Sequence, residues 1–391
     1  EYMNAVKESI VKAGFTVSLF TSDGPNERLL NGGTLPNVTS VINFGAGDDI
    51  AKEFETFAKF RTGVPKMVGE YWVGWFDHWG KPHHTVDPKQ AVLGLDWMLK
   101  NRISFNLYMF HGGTTFGFMN GANYNKNEPL QPDTSSYDYD SPLDESGKPT
   151  EKYFAIRELI QKYFPEEKLP VIPESSDLLE VPQFQLNETA DLFSILGKPQ
   201  SSEKPLSMEE AGQNYGFILY RTKITKESNG ELKFENLNDY GHIFVDGNLV
   251  GKIDRRLKEN SIKINVKAGS TLDILVENGG RLNFGKEFIF DRKGIVGNVT
   301  LNGETLNNWQ IFKSHVEGDK KTFQNLEAIR DIGLAMKKFC LKKDLKSLGR
   351  VFQAEYEARL ALSSVFTSPE IERLKKLSTA AGAEAIKICG A

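Results

Sequence analysis

The sequence predicts a multidomain chain of α/β plus β class: a region of successive strand–helix units, then an all-β region, then a helical segment. Three observations predict it. The length of 391 residues exceeds what one ordinary core encloses. Short apolar strands alternate with amphipathic helices as far as residue 164. The texture then changes to short β-rich runs separated by Gly and Asn turns.

In the first region the strands read as Thr16–Phe20, Ser40–Phe44, Lys66–Tyr71 and Ser104–Phe110. The helix after Phe44 starts at Asp48-Asp49, side chains suited to an N-cap, and carries Ile50, Phe54 and Phe57 at helical spacing. Asp87-Pro88 announces the next helix, a cap followed by proline at the first helical position, with Val92, Leu95 and Leu99 behind it. The last runs over Thr150–Phe164 with Tyr153, Ile156, Ile160 and Tyr163 on one side. Four βα units are half of an eight-stranded barrel or one doubly wound sheet, and periodicity does not separate the two.

The expected domains are 1–164, a partial barrel; 165–182, a Pro-rich linker; 183–316, a β-sandwich; and 317–391, a helical segment. The β-rich runs are Tyr215–Thr222, His242–Val245, Ile262–Val266 and Leu272–Val276, with turns at Asp246-Gly247-Asn248 and Asn302-Gly303. The helical segment has an amphipathic stretch through Ile329, Ile332, Leu334, Met336 and Phe339, a helix around Val351–Leu362, and a helix start at Ser368-Pro369-Glu370. The chain opens on Glu1 inside a helical pattern through Val6, Ile10 and Val11, from which an upstream segment is expected.

With 48 basic and 52 acidic residues, the net charge of −4 gives no basic excess for a nucleic acid or an anionic membrane. No apolar run is long enough to cross a bilayer. The two cysteines, Cys340 and Cys389, make no disulfide framework. His78, His83 and His84 have the spacing of no standard zinc motif, so no metal is expected.

The segment Gly69-Glu70-Tyr71-Trp72-Val73-Gly74-Trp75-Phe76-Asp77-His78-Trp79 sets a carboxylate at the end of an apolar strand and follows it with three tryptophans. Sugar cleavage needs that combination: a carboxylate for the anomeric carbon and flat rings to stack on sugar C–H faces. By itself, such a Glu is more often a surface or ion-paired carboxylate, with the tryptophans in the core.

The context is wider than one segment. Leu19-Phe20-Thr21-Ser22-Asp23-Gly24, the Glu70 segment, Asn106-Leu107-Tyr108-Met109-Phe110-His111-Gly112-Gly113-Thr114 and Ser136-Tyr137-Asp138-Tyr139-Asp140-Ser141-Pro142-Leu143 occur in order. Together with Thr150-Glu151-Lys152-Tyr153-Phe154, Asn214–Arg221 and Val276–Arg281 they resemble glycoside hydrolase family 35, the β-galactosidases, over roughly residues 1–315.

The resemblance implies a (β/α)8 TIM barrel followed by galactose-binding-like jelly-roll domains, and hydrolysis of terminal β-galactosides with retention. Glu70 falls on the nucleophile position. Tyr108, Tyr137 and Tyr139 fall on tyrosines lining the galactose pocket, and Trp75 on an aromatic near the nucleophile. Trp72 stands where some members carry tyrosine. The implied partner is a β-galactoside carbohydrate with no cofactor, and the implied location is periplasmic, secreted or lysosomal.

The family's acid/base glutamate, in an Asn-Glu-Tyr-Gly motif, is not found; Glu1-Tyr2 is followed by Met3. The expectation is that this chain alone has no useful galactosidase activity. The last 75 or so residues, through Leu326–Gly333, Leu345–Arg350 and Ala381–Ala391, resemble instead the C-terminal domain of GHMP-type sugar-phosphate kinases. The alternatives are a non-catalytic carbohydrate-binding protein and a kinase remnant.

Overall fold

In a computed structural model the structure describes residues 1–175, 178–186 and 191–313, parts of 332–362, and 369–380. Residues 1–312 form one compact unit and residues 313–391 a second. Of the expected amphipathic stretch, Ile332, Met336 and Phe339 are described while Ile329 and Leu334 lie outside the described residues, as do Cys340, Cys389 and residues 381–391.

The first unit opens with α1 (Tyr2–Lys12), β1 (Phe20–Asp23), α2 (Glu27–Gly33), β2 (Thr39–Gly45), α3 (Ile50–Phe60), β3 (Met67–Trp72), α4 (Pro88–Lys100) and β4 (Ser104–Tyr108). The four strands form one parallel sheet in the order β1-β2-β3-β4. That order has no reversal, unlike a doubly wound sheet, where the order turns back at a switch point. Five consecutive positions of β2, Ser40 to Phe44, are buried, as expected of a strand covered on both faces.

The first strand differs from expectation. Thr16–Phe20 was the apolar run, but the strand is Phe20–Asp23, and Phe15 and Val17 are exposed. The register with β2 decides this: Thr21 and Ser22 pair with Ser40 and Val41, so tertiary pairing outweighs the local apolar count.

Caps fix the helices that cover the sheet. Asp49 accepts from the Lys52 amide at the start of α3, which buries Ile50, Phe54 and Phe57. Asp87 accepts from the Lys89 amide ahead of Pro88, and α4 buries Ala91, Gly94, Leu95 and Met98. After two short strands, β5 (Gly121–Asn123) and β6 (Gln131–Pro132), Thr150 caps α5 (Glu151–Tyr163), whose buried residues are Lys152, Ile156 and Leu159. The buried stripe of α5 is thus turned from the expected Tyr153–Ile160 face toward Lys152. These helices and strands share one apolar core centred on Phe44, Val68, Tyr71, Leu95 and Met98.

From β7 (Gln200–Ser202) the chain is all β: β8 (Phe217–Lys223), β9 (Ser228–Asn238), β10 (Tyr240–Val245), β11 (Asn248–Asp254), β12 (Ser261–Val266), β13 (Thr271–Glu277), β14 (Arg281–Leu282), β15 (Gly294–Leu301), β16 (Glu304–Thr305) and β17 (Trp309–Lys313). One sheet runs β11-β10-β13-β8-β17-β7 and a second β12-β9-β15-β16, with a core of alternating residues such as Ile218, Tyr220, Phe234, Ile274 and Trp309. The hairpins β10–β11 and β15–β16 turn at Asp246-Gly247 and Asn302-Gly303, all four residues at positive φ, as two-residue primed turns require. The short strand β14 pairs in parallel with β5, joining the all-β region to the loops above the first sheet.

In the second unit the described helices are α6 (Leu345–Leu362) and α7 (Pro369–Ala380). The Tyr356 hydroxyl hydrogen-bonds Glu372 at 3.2 Å, and Lys375 lies over the Tyr356 ring. Among the described residues, no helix is long and apolar enough to cross a membrane.

Candidate active site

Glu70 lies in β3, two residues from the strand's end, and is half-buried. Its backbone amide donates to Asn43 Oδ1 at 3.0 Å across β2, and the Asn43 amide donates to Ser22 Oγ at 2.9 Å in β1. A polar chain across three adjacent strands therefore fixes the backbone that carries the carboxylate. The Trp72 indole N–H donates to Glu70 Oε2 at 3.0 Å, a charge-assisted bond that orients the carboxylate and fills one of its lone pairs.

Rings close around this point. Trp72 meets Trp75 edge-on at 5.5 Å, Trp75 lies 6.1 Å from Tyr139, and Tyr108 meets Tyr139 edge-on at 5.7 Å. Tyr137 and Tyr139 stack at 5.6 Å, and Phe76 touches both. All six residues singled out from the sequence, Glu70, Trp72, Trp75, Tyr108, Tyr137 and Tyr139, thus fall in one connected cluster. Burial raises the Tyr137 phenol, with its hydrogen bond to Tyr108 and the negative field of Asp133 and Glu70 adding to the effect. Burial also raises Tyr139, and Tyr137, Tyr108 and Glu70 act in the same direction. Both phenols stay protonated and available as donors, and the Tyr139 hydroxyl, in a residue 1% exposed, has no hydrogen-bond partner among the described residues.

The loop that carries Tyr137 and Tyr139 lies directly on the residues after β3 and β4, and two glycines make this contact possible. A Cβ on Gly74 would sit 1.8 Å from the Tyr139 carbonyl oxygen, and one on Gly112 would sit 1.7 Å from that of Tyr137. Tyr139 and Asp140 adopt φ of 64° and 50°, a conformation that costs a non-glycine residue of order 1–3 kcal/mol and needs support from its surroundings.

Lys152 supplies that support. Its ammonium is 2% exposed and donates to the Val73 carbonyl at 2.7 Å, to the Asp140 carboxylate at 2.8 Å and to the Asp140 carbonyl. Burial lowers the Lys152 pKa and the bond to Asp140 opposes the shift. Asp140 also accepts from the Val86 amide at 2.6 Å. Sequence reasoning singled out neither Lys152 nor Asp140. A signal was present: Lys152 is a charged residue in step with Ile156 on the core-facing stripe of α5.

The histidines take ordinary structural partners. His83 Nδ1 lies 2.7 Å from Asp77, a bond that raises the His83 pKa, and His78 Nε2 lies 3.5 Å from Asp133. Among the described residues no group of three or more His, Cys, Asp or Glu could hold a metal ion.

A strand-end carboxylate ringed by aromatic plates and phenol donors has the chemistry to stack a sugar ring and meet its anomeric carbon. Residues 1–163 match the family described as Glycosyl hydrolases family 35, and residues 205–315 match the first all-beta domain of beta-galactosidase. Over these segments the chain is similar to glycoside hydrolases of that family.

Among its relatives, the chain is 44% identical over 315 residues to a beta-galactosidase of Xanthomonas manihotis, covering 80% of this chain and 52% of that protein. It is 40% identical to the Mus musculus beta-galactosidase over 78% of this chain and 47% of that one. For the Homo sapiens beta-galactosidase the figures are 38%, 78% and 45%. The chain spans about half the length of these relatives.

Proposed function

We propose that this protein is built for retaining hydrolysis of terminal β-galactosides with Glu70 as the nucleophile, and that this chain alone has no useful galactosidase activity. The observation that carries the reading is the Glu70 carboxylate, held by the Trp72 indole and ringed by Tyr108, Tyr137, Tyr139 and Trp75. Beta-galactosidase relatives at 38–44% identity support the choice of galactoside. In this reading β1–β4 and their helices are consecutive units of a (β/α)8 barrel whose strand ends open on the site, and the two antiparallel sheets are a jelly-roll domain. The expected domain boundaries near residues 164, 182 and 316 belong to the same proposal.

Chemically, Glu70 attacks the anomeric carbon and a galactosyl ester forms on the carboxylate as the C–O bond to the leaving group breaks, its electron pair going to the departing oxygen, which takes a proton from water; a second water then cleaves that ester with net retention, freeing the carboxylate and a proton. One lone pair on Glu70 is engaged by Trp72, which leaves the other oxygen for attack. The unpartnered Tyr139 hydroxyl serves as a donor to the sugar or to the carboxylate as its charge changes. Trp75 offers the apolar plate.

The test is covalent trapping with dinitrophenyl 2-deoxy-2-fluoro-β-galactoside. Its activated leaving group departs unprotonated, so labelling depends on the nucleophile and pocket rather than on a general acid. The expected result is one galactosyl adduct on the peptide containing Glu70, lost in Glu70→Gln. An adduct on another residue, or none, removes Glu70 from the nucleophile role, and galactose binding without an adduct supports the carbohydrate-binding alternative. The kinase-like reading of residues 317–391 lies beyond the matched segments, and it predicts ATP binding by the chain, measurable by calorimetry.

A further inference from the structure

The loop that carries Tyr137 and Tyr139 is held from a second side besides Lys152. Segment 77–86, which follows β3, binds it at two points: the Thr134 amide donates to the Asp77 carbonyl at 3.2 Å, and the Val86 amide donates to Asp140 Oδ2 at 2.6 Å. Asp138, between the two tyrosines, sets the turn itself. Its Oδ1 accepts from the Asp140 amide at 3.1 Å and its Oδ2 from the Glu145 amide at 3.2 Å. The rings on either side of it join the Glu70 cluster, while this carboxylate faces His83.

His83 stands between two carboxylates. Its Nδ1 lies 2.7 Å from Asp77 Oδ2, and its Nε2 lies 4.0 Å from Asp138 Oδ1. Asp77 is fixed by a further bond, from the His84 amide to its Oδ1 at 2.7 Å. An ionised carboxylate only accepts, so Nδ1 keeps its hydrogen and Nε2 is the atom that gains or loses a proton. With that proton, a cationic N–H faces Asp138. Without it, a lone pair faces the same anion, so one proton sets the sign of a contact between the two loops.

The charges around the ring are Asp77 and His84 on its own segment, and Asp138 and Asp140 on the tyrosine loop, with Lys152 of α5 paired to Asp140. The Asp77 bond raises the His83 pKa above the ordinary histidine value; burial opposes this, and the fields of Asp77, Asp138 and Asp140 add to the rise. A raised histidine contributes fully below its ordinary pKa and loses that contribution as pH rises through the raised one. The bridge is therefore closed in mildly acidic solution and opens toward alkaline pH.

We infer that His83 is a positioning residue for the Glu70 cluster: its imidazolium bridges Asp77 and Asp138 and holds Tyr137 and Tyr139 in place, and loss of its proton loosens that loop. The inference deepens the galactoside reading, on which its consequence for a sugar rests. The His83 side chain is 52% exposed, and an ion pair at such exposure shifts an equilibrium by a factor of a few.

The experiment is ¹H–¹³C NMR of the full chain carrying ¹³C at the histidine ε1 and tyrosine ε carbons, titrated from about pH 5 to about pH 9. The 6 histidines and 12 tyrosines are assigned by substitution. The expected result is that the Tyr137 and Tyr139 resonances move with the midpoint of His83 and lose that midpoint in His83→Gln. In His83→Arg, which keeps a cation at every pH, they stay near their low-pH positions. Asp133, pushed up to about 7 by burial, also acts on Tyr137, so the titration is repeated in Asp133→Asn, where the His83 midpoint persists. Tyrosine resonances that stay level while His83 titrates, keep their midpoint in His83→Gln or His83→Arg, or lose it in Asp133→Asn overturn the inference. The concentration of the fluorinated galactoside that gives half-maximal labelling of Glu70 should rise about threefold above the His83 midpoint, and stay level in His83→Arg. A level response in the parent removes the positioning role. Absence of labelling at every pH, with both tyrosines still following His83, sinks the galactoside reading and leaves the bridge.

Discussion

The α/β region and the all-β region each bury one lysine, and the two lysines are held in different ways. Lys293, fully buried, lies between Asp239 at 2.8 Å and Asp291 at 3.2 Å, and Arg255 bridges the same two carboxylates at 2.7 and 2.8 Å. Two cations and two anions there satisfy one another inside a regular sandwich. Lys152 meets one carboxylate and two backbone carbonyls, and the loop it holds has two residues at positive φ and an unpartnered phenol. In the all-β region buried charge serves the fold. In the α/β region it maintains a local conformation that the fold alone would relax, as expected where strain supports a site.

The largest effect expected from this comparison is at Lys293. Lys293→Met leaves two buried carboxylates sharing one arginine and should cost about 3–5 kcal/mol in urea unfolding, with no direct effect on the Glu70 cluster. A loss below 1 kcal/mol would mean that the network contributes little to the sandwich.

A smaller loss of stability, about 2 kcal/mol, is expected for Lys152→Met, but with a larger effect on the site. Without the ammonium, Asp140 and Tyr139 are free to leave their positive-φ conformation. Labelling of Glu70 by the fluorinated galactoside should then slow at least tenfold, with partial recovery in Lys152→Arg. Labelling at the parental rate in a folded Lys152→Met would reduce this lysine to a packing element like Lys293.

The smallest effect concerns Asp133. Its folded pKa of about 7 lies above the ordinary value near 3.9, so between these pH values the unfolded chain has released a proton that the folded chain keeps. Stability therefore falls as pH rises across that window and is level on either side. Asp133→Asn removes the titration. The variant's stability relative to the parent should rise by about 1–2 kcal/mol from pH 4 to pH 8, less than the full shift because water and His78 adjust around an ionised carboxylate. Parallel pH profiles for the two proteins would place Asp133 in a more solvated setting.

Much of the site was legible because its residues are chemically conspicuous. A glutamate among tryptophans, and tyrosines alternating with aspartates, stand out in a linear text. The supporting residues were not. Gly74 and Gly112 read as ordinary loop glycines until the carbonyls of Tyr139 and Tyr137 are seen where their side chains would be. Asn43 reads as a polar interruption in an apolar strand until its side chain is seen binding the Glu70 amide. Likewise, the apolar run Thr16–Phe20 suggested a strand four residues before the one that pairs, because pairing depends on a partner 19 residues away.

The sequence by itself determined the element types, the caps on α3 and α4, the change from α/β to all-β texture, and the residue types of the candidate site. These are properties of neighbouring residues, set by periodicity, capping and side-chain chemistry. Only the tertiary structure decided that six residues spread over Glu70 to Tyr139 meet and that Lys152 turns inward. Those depend on strand register and close backbone approach, which arise between segments distant in the chain and leave no local pattern to read.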